Sequence, residues 1–229
     1  MLQNTNGFVT STLLSPVAGL VHAYTTRILG DMKKSEENRN NVIREVFGDK
    51  TMLRTAKQAH GNKVGEDSIV MKGKTGFALG VFTADCVPML LVDTKKNILA
   101  AIHAGWRGTL GGITPNTLDS MKNLGSDVGD IYVSIGPHIS MCHYDVPEER
   151  AQKFLAAFNH DPKVASYIEG AWRVDIGWAN YRQLTDAGVK PEHIDAPPTC
   201  TFCQIDTYFS FRKDSKETFG EIMGVIGFA

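Results

Sequence analysis

The chain has 229 residues, with 24 Lys and Arg against 25 Asp and Glu, so its formal charge of −1 gives no electrostatic case for nucleic acid or an anionic membrane as partner. That length can bury roughly 70% of the unfolded surface, and no Pro/Ser/Gly-rich linker, low-complexity run or internal repeat divides it, so one domain over residues 1–229 is expected. Residues 1–6 lack the positive region and apolar core of a secretory signal, and no apolar run approaches the ~18 residues of a membrane helix. The expected location is cytoplasmic, and the four cysteines are expected to be thiols.

In chain order, residues 21–27 read as a strand. Ser35 is a candidate N-cap for a helix over 35–47, where Val42, Ile43, Val46 and Phe47 form an apolar stripe before Gly48. Residues 52–58 alternate as a strand that delivers His60 at its far end. Three apolar strands follow over 78–84, 88–93 and 98–102, which puts Asp85, Cys86 and His103 where strands end. Gly105, Gly108, Gly111 and Gly112 then break regularity, and such a turn opening a helix offers unpaired N–H groups to an anion, phosphate being the obvious candidate. A helix over 114–124 carries Pro115 near its first turn and stops at Gly125, and a strand follows over 131–135. Helices over 147–158 and 175–187, the second ending at Gly188, precede strands over 208–212 and 222–228. Strands and helices intermix without strict βαβ alternation, which favours an α+β fold.

The chemistry concentrates in Thr83-Ala84-Asp85-Cys86-Val87-Pro88, with His103 downstream and His60 upstream in Gln58-Ala59-His60-Gly61-Asn62. A thiolate and two imidazoles at segment ends are the ligand set of a zinc or copper site that keeps one position open. The same residues taken singly also read as a buried thiol, a surface histidine beside a turn and a core histidine. Their spacing matches no compact metal signature.

Five ordered motifs go further: Gln58-x-His60-Gly61, Ala84-Asp85-Cys86-x-Pro88, His103-Ala104-Gly105-Trp106-Arg107-Gly108-Thr109, Ile135-Gly136-Pro137 and Phe209-Ser210-Phe211-Arg212-x-Asp214. Together they closely resemble the YfiH family, also called the laccase-domain or multicopper polyphenol oxidase-like family, from about Val21 onward. The resemblance implies an α+β fold with two mixed β-sheets packed between helices, and a zinc, with copper as the alternative, at His60, Cys86 and His103. It also implies phosphorolysis of adenosine, inosine, guanosine and methylthioadenosine, with adenosine deamination as a second activity. A bacterial branch of the family is linked to peptidoglycan precursor editing. The chain departs from the family pattern in a short interval between His60 and Cys86, and in Asp145 where members usually carry Glu.

On this reading Cys86 and His103 are catalytic as well as metal ligands, and Asp85 is the candidate proton carrier. Arg107 or Arg212, with the glycine turn, would hold phosphate, and Asn62 is a further substrate-side candidate. Arg212, in what reads as an aromatic strand, is expected to be partly buried against an anion. Trp106, beside His103, is a candidate pocket wall. Cys200-Thr201-Phe202-Cys203 reads as structural, because no second C-x-x-C or paired histidines complete a metal site, while His138, Cys142 and His143 have no assigned role. Two other enzyme classes compete. A copper laccase would need many histidines in H-x-H arrangements, which seven scattered histidines do not supply. A metal-free cysteine hydrolase would use Cys86 as nucleophile and His103 as base.

Overall fold

A computed structural model describes residues 2–196 and 199–229. The first strands are β1 (Leu2–Thr5), β2 (Phe8–Ser11), β3 (Leu20–Thr25), β4 (Met52–Thr55) and β5 (Ser68–Lys72). The long apolar runs form β6 (Phe77–Thr83), β7 (Val87–Asp93), β8 (Ile98–Ala104) and β9 (Ile131–Ile135). The remainder are β10 (Asp145–Val146), β11 (Ala165–Ile168), β12 (Ala171–Val174), β13 (Ile194–Asp195) and β14 (Ile222–Phe228). The helices are α1 (Glu36–Phe47), α2 (Trp106–Leu110), α3 (Ile113–Asn123), α4 (Glu148–Ala157) and α5 (Ile176–Asp186). Ser35 caps α1 by accepting from the Asn38 N–H, and Asp175 caps α5 by accepting from the Trp178 N–H.

Two mixed sheets result, as the α+β expectation requires. The first has the order β1-β2-β3-β14-β6-β4, with only β4 and β6 parallel, and the second has the order β13-β9-β7-β8-β5, with only β13 and β9 parallel. A small antiparallel sheet, β10-β12-β11, was not anticipated; its strands are too short for a periodic signal.

The layers follow from alternation along the central strands. Leu90 and Val92 of β7 and Leu99 and Ala101 of β8 point between the sheets, where they meet Leu79, Val81, Ile222 and Ile226. Met89 and Leu91 of β7 and Ile98, Ala100 and Ile102 of β8 point the other way, into a core shared with α3, α4 and α5. Val42 and Ile43 of α1 cover the outer face of the first sheet against Ala23, Ala78, Met223 and Val225. Every residue of β7 and β8 is therefore buried, which is why these segments read as unbroken apolar runs.

The main correction to the expected elements concerns residues 208–212, which run as a bend, an irregular stretch and a turn instead of a strand. Their donors are committed elsewhere: the Ser210 N–H donates to Asp214 at 2.8 Å and the Arg212 N–H to Asp85 at 2.8 Å. The strand over 52–58 also stops early, at Thr55, and residues 56–60 run as a loop.

A polar tie crosses the apolar layer between the sheets. The phenol of Tyr24, fully buried, donates to the Ser134 carbonyl of β9 at 2.7 Å. Tyr24→Phe removes the donor and leaves that contact unmade, so it is expected to lower unfolding stability by about 1–3 kcal/mol. Urea titration checks this against an unchanged slope.

Candidate metal centre and cavity

Sheet register assembles the site. Because β7 pairs with β8 so that Pro88 faces His103, and β5 pairs with β8 so that Ser68 faces Ile102, the residues just before β7 and β5 flank His103 on its two sides. Those neighbours are Cys86 and Asp67. His60 arrives on the loop after β4, and its ring meets His103 edge-on at 4.7 Å between centroids. One ligand atom each from His60, Cys86 and His103 lies within 4.8 Å of the others, so the predicted ligand set converges.

Asp67 organises this cluster. Its carboxylate, fully buried, accepts the backbone N–H groups of His60 and Gly61 at 2.7 Å each and faces His103 Nδ1 at 3.1 Å. His60 itself takes a left-handed backbone, φ 59°, which aims both amides at the acid. Burial pushes the Asp67 carboxyl up, but the hydrogen bonds from His103, Gly61 and His60 outweigh it and hold the group below the usual carboxylate range. A carboxylate behind one histidine nitrogen leaves the other nitrogen as the ligand and fixes the ring.

The thiol and imidazole shift in opposite directions. Burial would raise the Cys86 thiol and lower the His103 imidazole, but each is overridden. Hydrogen bonds from His103 and His60 bring Cys86 down to about 7, and Asp67 and Cys86 bring His103 up to about 9. The pair is therefore shifted toward thiolate and imidazolium, and a cation that displaces the His103 proton would meet a thiol that gives up its proton readily. The donor set, one sulfur and two imidazole nitrogens with a carboxylate behind, fits zinc.

Two glycines let the backbone close around the cluster. A Cβ on Gly105 would lie 3.2 Å from Cys86 Sγ and 3.4 Å from His60 Cδ2, and one on Gly108 would lie 2.5 Å from the Gly61 carbonyl oxygen. Gly105 is the N-cap of α2 and Gly108 lies inside it, so this short helix packs directly on the His60 turn.

The cluster opens into a cavity of about 600 Å³. Apolar and aromatic walls come from Phe82, Trp106, Tyr144, Ile176, Phe211 and Phe219. Cations come from Lys33, Arg150 and Arg212, and carboxyls from Asp85 and Glu221. The Arg150 guanidinium lies 4.2 Å from the Trp106 ring centroid and 3.5 Å from the Tyr144 hydroxyl, while Arg212 lies 4.9 Å from the Tyr144 ring. Tyr144 thus stands between two cations.

The other sequence candidates are placed as follows. Asp85 is buried, and its carboxylate accepts from the Thr201 hydroxyl at 2.6 Å, the Ser210 hydroxyl at 3.1 Å and the Arg212 N–H. Burial raises its pKa despite those bonds. Arg212 lines the cavity, but its side chain is exposed, donating to the Asp145 carbonyl at 2.9 Å, and is not buried as the aromatic-strand reading anticipated. Arg107 is exposed over the Trp106 ring at 4.5 Å, and Asn62 donates to the Gly111 carbonyl at 2.6 Å; neither is among the cavity-lining residues. His138 is buried, with Nδ1 2.8 Å from the Gly136 carbonyl. Asp67, Arg150 and Glu221 were not found from sequence. Asp67 depends on the register of a strand with no strong pattern, and Arg150 and Glu221 sit in no motif.

A family model described as multi-copper polyphenol oxidoreductase laccase matches residues 24–229. The chain belongs to this family. Among curated relatives, a purine nucleoside phosphorylase of Bacteroides thetaiotaomicron is 33% identical over 171 residues, 73% of this chain and 63% of that protein. Adenosine deaminase RL5, from an unknown prokaryotic organism, is 36% identical over 65% of this chain and 57% of its own length. The chain's matches thus span less than two thirds of these two relatives. A purine nucleoside phosphorylase of Deinococcus radiodurans is 29% identical, covering 94% of this chain and 92% of its own. Among solved structures, YlmD from Geobacillus stearothermophilus superposes with a TM-score of 0.85 at 25% identity, over 99% of this chain and 97% of its own. The YfiH protein of Bacillus licheniformis does so with a TM-score of 0.86 at 23% identity, over 100% and 99%.

Two outcomes follow from the geometry. Asp67→Asn is expected to weaken zinc affinity about 10–100-fold, the range for partners behind metal-bound histidines, as read by competition with a chromophoric chelator. In metal-free protein, iodoacetamide should alkylate Cys86 with a midpoint at about pH 7, because the lowered pKa lets the reactive thiolate accumulate as pH rises past that value and not past 9.0. Peptide mapping across pH checks this, and added zinc should protect the thiol.

Proposed function

We propose that the protein is a zinc-dependent purine nucleoside phosphorylase that also deaminates adenosine. The observation that carries the reading is the convergence of His60, Cys86 and His103 at a cavity whose wall brings Arg150 and Arg212 together around Tyr144. The names of the relatives accord with it. Zinc on the three ligands would supply a Lewis acid at the cavity.

The remaining roles belong to the chain. In phosphorolysis a phosphate oxygen bonds to C1′ while the C1′–N bond breaks, and the base departs with the electron pair and needs a proton. Arg150 and Arg212 would neutralise and orient the phosphate; planar guanidinium groups suit its oxygens. The aromatic walls suit the faces of a purine. Glu221 would carry the proton: burial raises its pKa against the pull of Lys33, which favours the protonated form that an acid requires. Asp85, with its carboxylate turned to Thr201, Ser210 and the Arg212 amide, is the second carboxyl for that role and also fastens the wall that carries Arg212.

A second reading draws on the relay Cys86–His103–Asp67, which has the order of a nucleophile, its base and an orienting acid. A cysteine hydrolase of that kind would keep its activity after metal removal and lose it on alkylation of Cys86. The metalloenzyme would lose activity to a chelator and recover it with zinc.

The test incubates metal-defined protein with adenosine and inosine, with and without phosphate, and separates free base, ribose 1-phosphate and ammonia by chromatography. Phosphate-dependent release of free base is the expected result. Arg150→Ala and Arg212→Ala should each lower phosphorolysis by about 10–100-fold, corresponding to about 1.5–3 kcal/mol for a hydrogen bond to a charged group, with smaller effects on ammonia release. Glu221→Gln should retain zinc and lower phosphorolytic turnover by about 10²–10⁴-fold.

A further inference from the structure

A second cluster of metal-ligating side chains stands apart from His60, Cys86 and His103. Cys142, His143, Cys200 and Cys203 each offer one ligand atom, and all four atoms lie within 4.8 Å of one another. Cys142 Sγ and Cys203 Sγ are 3.7 Å apart, and His143 Nδ1 lies 3.2 Å from the first and 3.3 Å from the second. Zinc–sulfur bonds of about 2.3 Å at tetrahedral angles place two sulfurs about 3.8 Å apart, whereas a disulfide needs about 2.05 Å. At 3.7 Å the two sulfurs are too far apart for a disulfide and at a spacing that two ligands of one ion would take.

The surroundings hold the donors in place. The Cys200 sulfur is buried and accepts backbone N–H groups from Ser140 and Cys203, the second closing the C-x-x-C turn on itself. The His143 ring stacks on Phe202, inside that turn, with centroids 4.2 Å apart. The two segments are also joined by backbone: His138 N–H donates to Thr199 and Thr201 N–H donates to His138. Three thiols and an imidazole are therefore gathered by separate devices, and two of the thiols are exposed.

We propose that Cys142, His143, Cys200 and Cys203 bind a second zinc ion, in a closed four-ligand structural site distinct from the three-ligand centre of the cavity. Four protein ligands leave no open position for substrate, so the ion acts as a fastener. What it fastens is the cavity wall. Thr201, next to Cys200, donates to Asp85, and Tyr144, two residues after Cys142, lines the cavity between Arg150 and Arg212. The ion would pin both segments at one point.

The test counts metal in the full chain, free of any histidine tag, loaded with zinc alone and desalted. Mass spectrometry of the metal is expected to find about two zinc ions per chain in the wild type and about one each in Cys203→Ser, Cys142→Ser and Cys86→Ala. Loss of one ion from Cys203→Ser while Cys86→Ala still holds one supports this site whatever becomes of the cavity centre. Cobalt loaded into Cys86→Ala should give the intense visible bands of a tetrahedral thiolate site, and Cys203→Ser added to it should abolish them. Equal zinc content in wild type and both serine variants would overturn the proposal. So would a Cys142–Cys203 disulfide in the native protein, seen as a 2 Da deficit in non-reduced intact mass.

Discussion

The buried Asp67 carboxylate is the contact on which the site depends. It joins the turn at His60 to the end of β8 at His103: the register of β5 on β8 sets the acid beside His103, and the acid's own bonds draw in the His60 turn, which lies outside any strand. A buried carboxylate survives only when its charge is met, and here two backbone amides and an imidazole meet it. The same bonds that stabilise the acid therefore aim the histidines, and the polarity they pass to Cys86 prepares the thiol as a ligand or a nucleophile. Structure and reactivity share one set of hydrogen bonds.

Asp85 does for the wall what Asp67 does for the floor. Its left-handed backbone, φ 80°, lies in the crossing from β6 in the first sheet to β7 in the second, and its carboxylate collects Thr201, Ser210 and the Arg212 amide. These donors belong to a segment with no regular structure of its own, which would otherwise have buried polar groups to satisfy. Irregular backbone is held here by one acid below and by the Cys142–Cys203 region at its side. Cavity-lining residues such as Arg212 and Phe211 are thus presented by a loop with defined anchors, the usual way a rigid scaffold displays function.

Features with a local physical cause were legible in the sequence. Ser35 capped its helix, the runs that became β7 and β8 were apolar because both faces are buried, and His60, Cys86 and His103 were recognised through motifs that do come together. What escaped depends on distant partners. Tyr208, Phe209 and Phe211 imitate a strand, yet the amides around them are claimed by Asp85 and Asp214. Cys200 and Cys203 read as an incomplete pair because Cys142 and His143, an adjacent Cys-His that matches no spaced motif, reach them only through folding. Arg150 carries no local mark at all; its stacking on Trp106 makes it part of the cavity.

The position of β14 has a consequence for how the protein is made. It lies inside the first sheet, paired on one side with β3 and on the other with β6, although it comes last of the described strands in the chain. A chain synthesised only as far as β9 already holds His60, Cys86 and His103, but its first sheet is split, with the inner edges of β3 and β6 bare. Such unpaired edges invite pairing with other chains. Closure waits for Ile222–Phe228, which also brings Ser210 and Arg212 within reach of Asp85 across 125 and 127 residues of sequence. His60, Cys86 and His103 are thus made well before the strand that closes the sheet beside their cavity, and the two bare edges stay open until that strand arrives.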